Sequence, residues 1–278
     1  MLFVCHSRIA FNMDFFDCNL SYGPDTMRAQ LPGCPDIEEL RGQLDRAGIA
    51  GGLVYYAMRE PILGNATLAF DLTSRSGAEL SGNSSAAPSS RPGAELYGVW
   101  SLLPSCAGEL APPGELPAAM KQNGVAALTL NPQANRYLPV ASAIGDYLAE
   151  AQERAIPVLF NTGKGLTLEQ VSDLMSDFRD LTAILTHANC WPNDRLLLPF
   201  LDAYPNLYLD MTYIQTAAWL PDIVGKYSAR RILFGSGFPE CYPGAHMMVI
   251  KHAMLCDDDK VMIAGGNLRR ILREARYD

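Results

Sequence analysis

Seven cysteines (Cys5, Cys18, Cys34, Cys106, Cys190, Cys241 and Cys256) are spread along the 278 residues, and no two of them form a Cys-x-x-Cys pair. An odd, unpaired set excludes a disulfide framework and a zinc finger, and points to reduced thiols in a cytoplasmic protein. Long hydrophobic runs are missing as well. A membrane span needs roughly 18 apolar residues, whereas segments such as 156–160 and 230–234 have the length of strands. The chain has no basic excess: 22 Lys and Arg stand against 30 Asp and Glu, a net charge of −8, with no long cationic run. That balance gives no footprint for nucleic acid or anionic lipid and leaves small molecules as the expected partners, with homo-oligomerisation open. Residues 1–13 hold a single Arg and only short apolar stretches, which is not the layout of a secretory leader. They read as an N-terminal extension. No internal repeat indicates a solenoid.

What is present is a large apolar fraction, 49% against 19% charged, enough for an extensive core. Short β-branched or aromatic runs alternate with longer stretches of helical spacing, the pattern of parallel βαβ units. Strands are expected near 15–21, 51–56, 97–103, 125–130, 156–161, 183–187, 207–210 and 231–236. Helices are expected at 36–47, 113–123, 140–154, 167–178, 194–204, 216–227 and 245–255. Thr167 before Glu169 and Gln170, and Gly48 and Gly124 just past helix ends, mark boundaries. Eight strands predict one closed (β/α)8 barrel over 14–278, within the usual size of that fold. The competing architecture, a doubly wound open sheet, would want a glycine-rich phosphate turn after the first strand, and Ser21-Tyr22-Gly23-Pro24 is not one. The Ser/Gly/Ala/Pro-rich segment 74–94 reads as a surface loop or helix extension, an insertion rather than a lid. Asp257-Asp258-Asp259 reads as the acidic first turn of a helix.

In the first strand Phe16, Cys18 and Leu20 alternate with Asp17, Asn19 and Ser21. Alternation places the apolar set toward the helices and the polar set in the barrel interior. Buried polar side chains need partners or a use, so this line is either a satisfied polar plug or part of a site. Later strands end on Asn161, on His187 and Asn189, and on Asp210. Barrel enzymes place their chemistry at the C-terminal ends of strands, so these residues are expected to converge on one pocket.

The run Asp17-Cys18-Asn19-Leu20-Ser21-Tyr22-Gly23 resembles the first-strand metal motif of the amidohydrolase-2 family, an Asp followed by His-x-His and often a glycine. The later segments Thr186-His187-Ala188, Leu233-Phe234-Gly235-Ser236-Gly237-Phe238-Pro239 and Gly266-Asn267-Leu268-Arg269-Arg270 are similar to that family's in the same order. The resemblance implies a metal-dependent hydrolase or decarboxylase on a TIM barrel, with zinc or manganese held by five donors. The positions that match those donors hold Asn19, Ser21, Asn161, His187 and Gly237, so only the histidine is kept. Neutral amides and hydroxyls are weak ligands for a divalent transition metal. No cofactor is therefore expected, unless Asp17, Asp210, Glu240 and Cys18 rebuild a site, and Cys18 is expected on the helix side.

Three readings follow. A metal-independent enzyme acting on a lactone, ester or carboxylated ring would use His187 as acid, base or oxyanion donor and Glu240 as the substitute base. Asp17, Asn19, Ser21, Asn161, Asn189, Asp210 and Tyr213 would then bind substrate. A pseudoenzyme would bind a ligand through the same pocket. A metal-dependent hydrolase or decarboxylase is the reading that the resemblance alone would give. His246, Tyr213 and Trp191 are further candidates to reach the pocket mouth, whereas His246 and His252 fall on different helix faces and make no metal pair.

Overall fold

Eight strands pair in parallel and in chain order: β1 (Phe15–Tyr22), β2 (Ile49–Tyr56), β3 (Glu95–Ser101), β4 (Val125–Leu130), β5 (Val158–Asn161), β6 (Ala183–Thr186), β7 (Leu207–Asp210) and β8 (Ile232–Leu233). The computed structural model describes residues 13–26, 33–78, 93–188, 194–214 and 218–278. The first and last strands meet where the Cys18 N–H donates to the Phe234 carbonyl and the Ser21 N–H to the Phe238 carbonyl, both at 2.9 Å. These bonds close the sheet on itself. Around it run α1 (Ile37–Ala47), α2 (Pro61–Ala78), α3 (Leu116–Gln122), α4 (Pro132–Asn135), α5 (Ala141–Glu153), α6 (Leu168–Asp177), α7 (Asp194–Ala203), α8 (Trp219–Tyr227), α9 (Pro243–His252), α10 (Asp257–Val261) and α11 (Asn267–Glu274). The result is the single (β/α)8 barrel that the alternating sequence pattern predicts.

Local chemistry sets the helix ends. Asp36 accepts from the Glu39 N–H at 2.8 Å, and Gly48 ends α1 in the left-handed region. Thr167 and Gln170 form a reciprocal capping box at the start of α6. The three aspartates 257–259 occupy the first turn of α10, as expected. Helices α2, α4 and α11 are not among the expected helices, and α2 runs into the front of the 74–94 segment. Residues 79–92 of that segment, and 1–12 of the N-terminal extension, lie outside the described residues.

Two apolar layers hold the barrel. The outer layer lies between strands and helices, and the inner one is built from Phe16 and Cys18 of β1, Leu53, Val99, Ala127, Leu159, Ile184, Tyr208 and Leu233, with Leu268 and Ile271 of α11 beneath. Here the structure corrects the sequence reading. Phe16 and Cys18 face the inner layer, and of the three only Leu20 joins the outer one. The cause is a bulge. Asp17 pairs with Gly52 and Leu20 with Val54, so Cys18 and Asn19 together stand opposite Leu53. The Asp17 carboxylate accepts the Asn19 N–H at 2.9 Å, which draws that amide out of the ladder.

The closing Gly-Asn-x-x-Arg motif is structural. Buried Asn267 donates through Nδ2 to the carbonyls of Ala229 (2.8 Å) and Ile232 (2.9 Å), fastening α11 to β8. Arg269 reaches Asp14 at 2.8 Å and Glu95 at 2.9 Å, tying the same helix to β1 and β3. Among the described residues no helix is long and apolar enough to cross a membrane.

Candidate functional site

Two residues beyond Leu159, Ile184 and Tyr208, strand alternation puts Asn161, Thr186 and Asp210 on the same inner face, all buried. A polar layer thus lies above the apolar one, at the C-terminal end of the strands. The β1 bulge adds Asn19 to it. Asn19 Nδ2 donates to Asp210 Oδ2 at 3.0 Å and to Thr212 Oγ1 at 2.9 Å, and lies 3.4 Å from His187 Nδ1. Two hydrogens serve three acceptors, so the longest contact, to the imidazole, is the weakest. Thr212 also donates to Asp210 Oδ2, and the His187 N–H donates to Asp210 Oδ1 at 3.2 Å.

His187 is half-buried at the rim of this network, with φ at +60°, a backbone conformation that non-glycine residues seldom adopt. The hydrogen bond from its own N–H to Asp210 holds it there. Burial pushes its imidazole down to about 4, with the nearby Glu240 charge opposing and the Lys164 charge reinforcing the shift. At neutral pH the ring is uncharged. Tyr213 stands edge-on to it, ring centroids 5.4 Å apart. Gly163 brings Asn161 close: a side chain there would begin 3.1 Å from the His187 ring and 3.2 Å from Asn161 Oδ1. Asn161 Oδ1 is buried and has no hydrogen-bond partner among the described residues.

Asp17 and Asp210 are fully buried carboxylates. Burial pushes Asp17 up to about 6 and Asp210 up to about 7 in spite of the hydrogen bonds each accepts, and the charge of Asp17 adds to the shift at Asp210. Asp17 turns to backbone amides, accepting from Ser236 N–H at 3.1 Å as well as from Asn19. Ser21 donates to the Phe238 carbonyl at 3.3 Å. Glu240 sits exposed in the turn after β8. His246 is buried, with Nε2 2.7 Å from the Thr212 carbonyl and Nδ1 without a partner among the described residues, so it underpins the Thr212 turn. Asn189 and Trp191 lie outside the described residues.

The structure therefore brings Asn19, Asn161, His187, Asp210 and Tyr213 together. Sequence reading missed Thr212, Thr186 and Lys164. Thr212 had a signal, since it follows Asp210 by two residues and shares its face. Lys164, in the 3-10 turn Thr162–Lys164 after β5, had none; its ammonium lies 6.0 Å from the Tyr55 ring at the end of β2.

The residues present do not fit the zinc or manganese that the family pattern implies. Asn19 turns its amide nitrogen, which has no lone pair to offer, into the cluster. Gly237 occupies the position that matches the family's acidic ligand; its φ is +68°, and a Cβ there would come 2.5 Å from Thr212 Cγ2. Among the described residues no three His, Cys, Asp or Glu side chains are grouped to hold a metal ion.

The closed barrel, with polar groups gathered at the C-terminal ends of its strands, defines the architecture of TIM-barrel enzymes. The family model described as Amidohydrolase matches residues 99–273, and the chain belongs to this amidohydrolase-2 family. A comparison with curated proteins gives no match. Among solved structures, the chain is similar to an uncharacterized TIM-barrel protein from Bordetella bronchiseptica (21% identity, 86% of this chain and 83% of that one, TM-score 0.59). It is similar to a putative 2-pyrone-4,6-dicarboxylic acid hydrolase from Pseudomonas putida (15% identity, 94% and 98%, TM-score 0.63). A dihydroxybenzoic acid decarboxylase from Polaromonas sp. JS666, with bound manganese and 2-nitroresorcinol, also resembles it (16% identity, 94% and 97%, TM-score 0.64). At these identities the likeness is one of fold.

Proposed function

We propose that this chain is a metal-independent hydrolase of a small carboxylated ester or lactone, with His187 as its central catalytic residue. The observation that carries the reading is the neutral imidazole at the rim of the polar layer, fixed through its backbone by Asp210 and facing a donor set that suits an organic ligand better than a metal. Asn19 approaches Nδ1 as a donor, so the ring proton sits on Nε2 and serves as a hydrogen-bond donor to a substrate carbonyl. Glu240, whose charge reaches His187, takes a proton from water as the water oxygen adds to that carbonyl carbon. When the C–O bond breaks, Glu240 returns the proton to the leaving alkoxide. Asn161, with its open Oδ1, orients the substrate. Lys164 has no carboxylate partner among the described residues and is placed to receive a substrate carboxylate. The similar 2-pyrone-4,6-dicarboxylic acid hydrolase and dihydroxybenzoic acid decarboxylase, both named for carboxylated rings, support the substrate class.

A panel of lactones, esters and aromatic acids, assayed with wild type and His187→Ala, tests this. Hydrolysis of at least one carboxylated member is expected, with kcat/KM reduced about 10²-fold or more in the variant. Because His187 is held near 4, the rate should show no inflection from it above pH 5. Turnover that ignores His187 removes the central residue, and near-stoichiometric zinc or manganese in protein purified without chelator overturns the metal-independent reading. The fully buried, internally bonded Asp210 favours a second reading, a ligand-binding member without chemistry, which binding without turnover across the panel would select.

A further inference from the structure

At the opposite end of the barrel, under the N-terminal ends of β3 and β4, lies a cavity of about 540 Å³. Its volume falls in the range of small-molecule sites. Phe16, Tyr97, Leu272 and Tyr277 form walls, and Lys121, Arg269 and Arg273 contribute three cations against the single carboxylate of Glu95.

Most of the charges here are already committed. Arg269 spans Asp14 and Glu95 while covering the face of Phe16, its guanidinium carbon 4.0 Å from the ring centroid. Glu95 also accepts from the Tyr97 hydroxyl at 2.6 Å, and Lys121 pairs with Asp278. The Tyr277 hydroxyl donates to the Ala126 carbonyl at 2.8 Å, which leaves its ring as a fixed wall. Arg273 differs. Its Nε donates to the Arg269 carbonyl at 3.2 Å, and its two terminal nitrogens have no acceptor among the described residues. An apolar, aromatic-walled chamber with one uncommitted guanidinium at its edge is complementary to a molecule with a flat hydrophobic body and one anionic group.

We propose that this cavity is a second ligand site, independent of the C-terminal mouth, that takes a small aromatic carboxylate with its acid group on Arg273. The inner apolar layer lies between the two ends, so a ligand here touches none of His187, Asn19 or Asp210.

Titration calorimetry of the intact chain with 1-naphthoate, and with the neutral isostere 1-naphthamide, tests the proposal. One-to-one binding of the carboxylate is expected, about tenfold tighter than the amide, since a charge-assisted bidentate contact is lost in the latter. Arg273→Ala, on an exposed side chain, should weaken the carboxylate about tenfold and leave the amide unchanged, whereas Leu272→Trp should abolish both by filling the chamber. His187→Ala should leave naphthoate binding as it is. Should Leu272→Trp fail to fold, Arg273→Ala decides alone. The proposal is overturned if folded wild type binds no naphthoate at millimolar concentration, if acid and amide bind equally, if Arg273→Ala has no effect, or if binding is lost in His187→Ala.

Discussion

Gly52→Ala is expected to yield little or no folded protein. A Cβ at this residue would stand 2.0 Å from the Asp17 carbonyl oxygen and 2.8 Å from its carbon, so the obstacle is backbone rather than a movable side-chain tip. The β1 segment cannot withdraw. Asp17 is held by the Ser236 amide, and Cys18 donates to Phe234 across the barrel seam. Relief would require opening the seam or breaking the register of Asp17 with Gly52. A cost above about 4 kcal/mol is exceptional for one methyl group and belongs to this class of backbone conflict. Against a total stability on the order of 5–15 kcal/mol it removes much of the margin. Soluble yield and a circular-dichroism melt check this. A variant melting within a few degrees of wild type would show that β1 and β2 do not meet in this register.

Asp210→Asn is expected to change how stability depends on pH. In the folded chain burial lifts Asp210 to about 7 from an ordinary value of 3.8. The native state therefore holds this proton more tightly than the unfolded chain does. Its contribution is fully present below the ordinary value and is lost as pH rises through about 7. His187 acts in the opposite sense. Held at about 4 rather than 6.5, it favours the fold above 6.5 and opposes it as pH falls toward 4. In the acid range the two partly cancel, Asp17, lifted to about 6, adds a decline of its own, and above pH 6.5 the decline from Asp210 continues alone until it levels off just past 7. Removing the carboxyl removes that decline. The stability difference between wild type and variant should shift by roughly 2–4 kcal/mol in the variant's favour from pH 4.5 to pH 8, at about 1.4 kcal/mol per pKa unit. The variant also loses good acceptor geometry toward Thr212 and Asn19, so the slope rather than the offset carries the information. Parallel urea-denaturation curves across this range would contradict the raised carboxyl.

The barrel was legible because its strands carry their period openly: runs such as 125–130 and 207–210 coincide with β4 and β7 residue for residue. Departures have local causes. The strand expected from 156 begins at Val158, after Pro157, which has no N–H for the ladder. The strand expected over 231–236 pairs only at Ile232 and Leu233, and the chain then keeps beside β1 through two isolated bonds rather than a ladder. Helix α2 was hidden because Gly, Thr and Ser in 61–78 dilute the helical signal. In the site, the convergence of His187 and Asp210 followed from strand ends, while Asn19 was expected in the barrel interior from alternation along the first strand. The bulge that turns both Cys18 and Asn19 inward did not, because simple alternation contains no term for a side chain capturing the amide two residues on. Lys164 was equally out of reach, since its neighbourhood with Tyr55 joins residues from opposite sides of the barrel rim.

The seam between β1 and β8 bears on how the chain is made. Strand β1 has no partner on its outer edge until Phe234 and Phe238 exist, and the floor beneath the inner layer is missing until Leu268 and Ile271 arrive with α11. During vectorial synthesis β1 must therefore wait until Phe234 and Phe238 have been made before its edge is covered. Such long sequence separation slows folding and leaves a sticky edge available to other nascent chains. Expression at reduced translation rate or with chaperone support should therefore matter more for this barrel than its finished stability suggests.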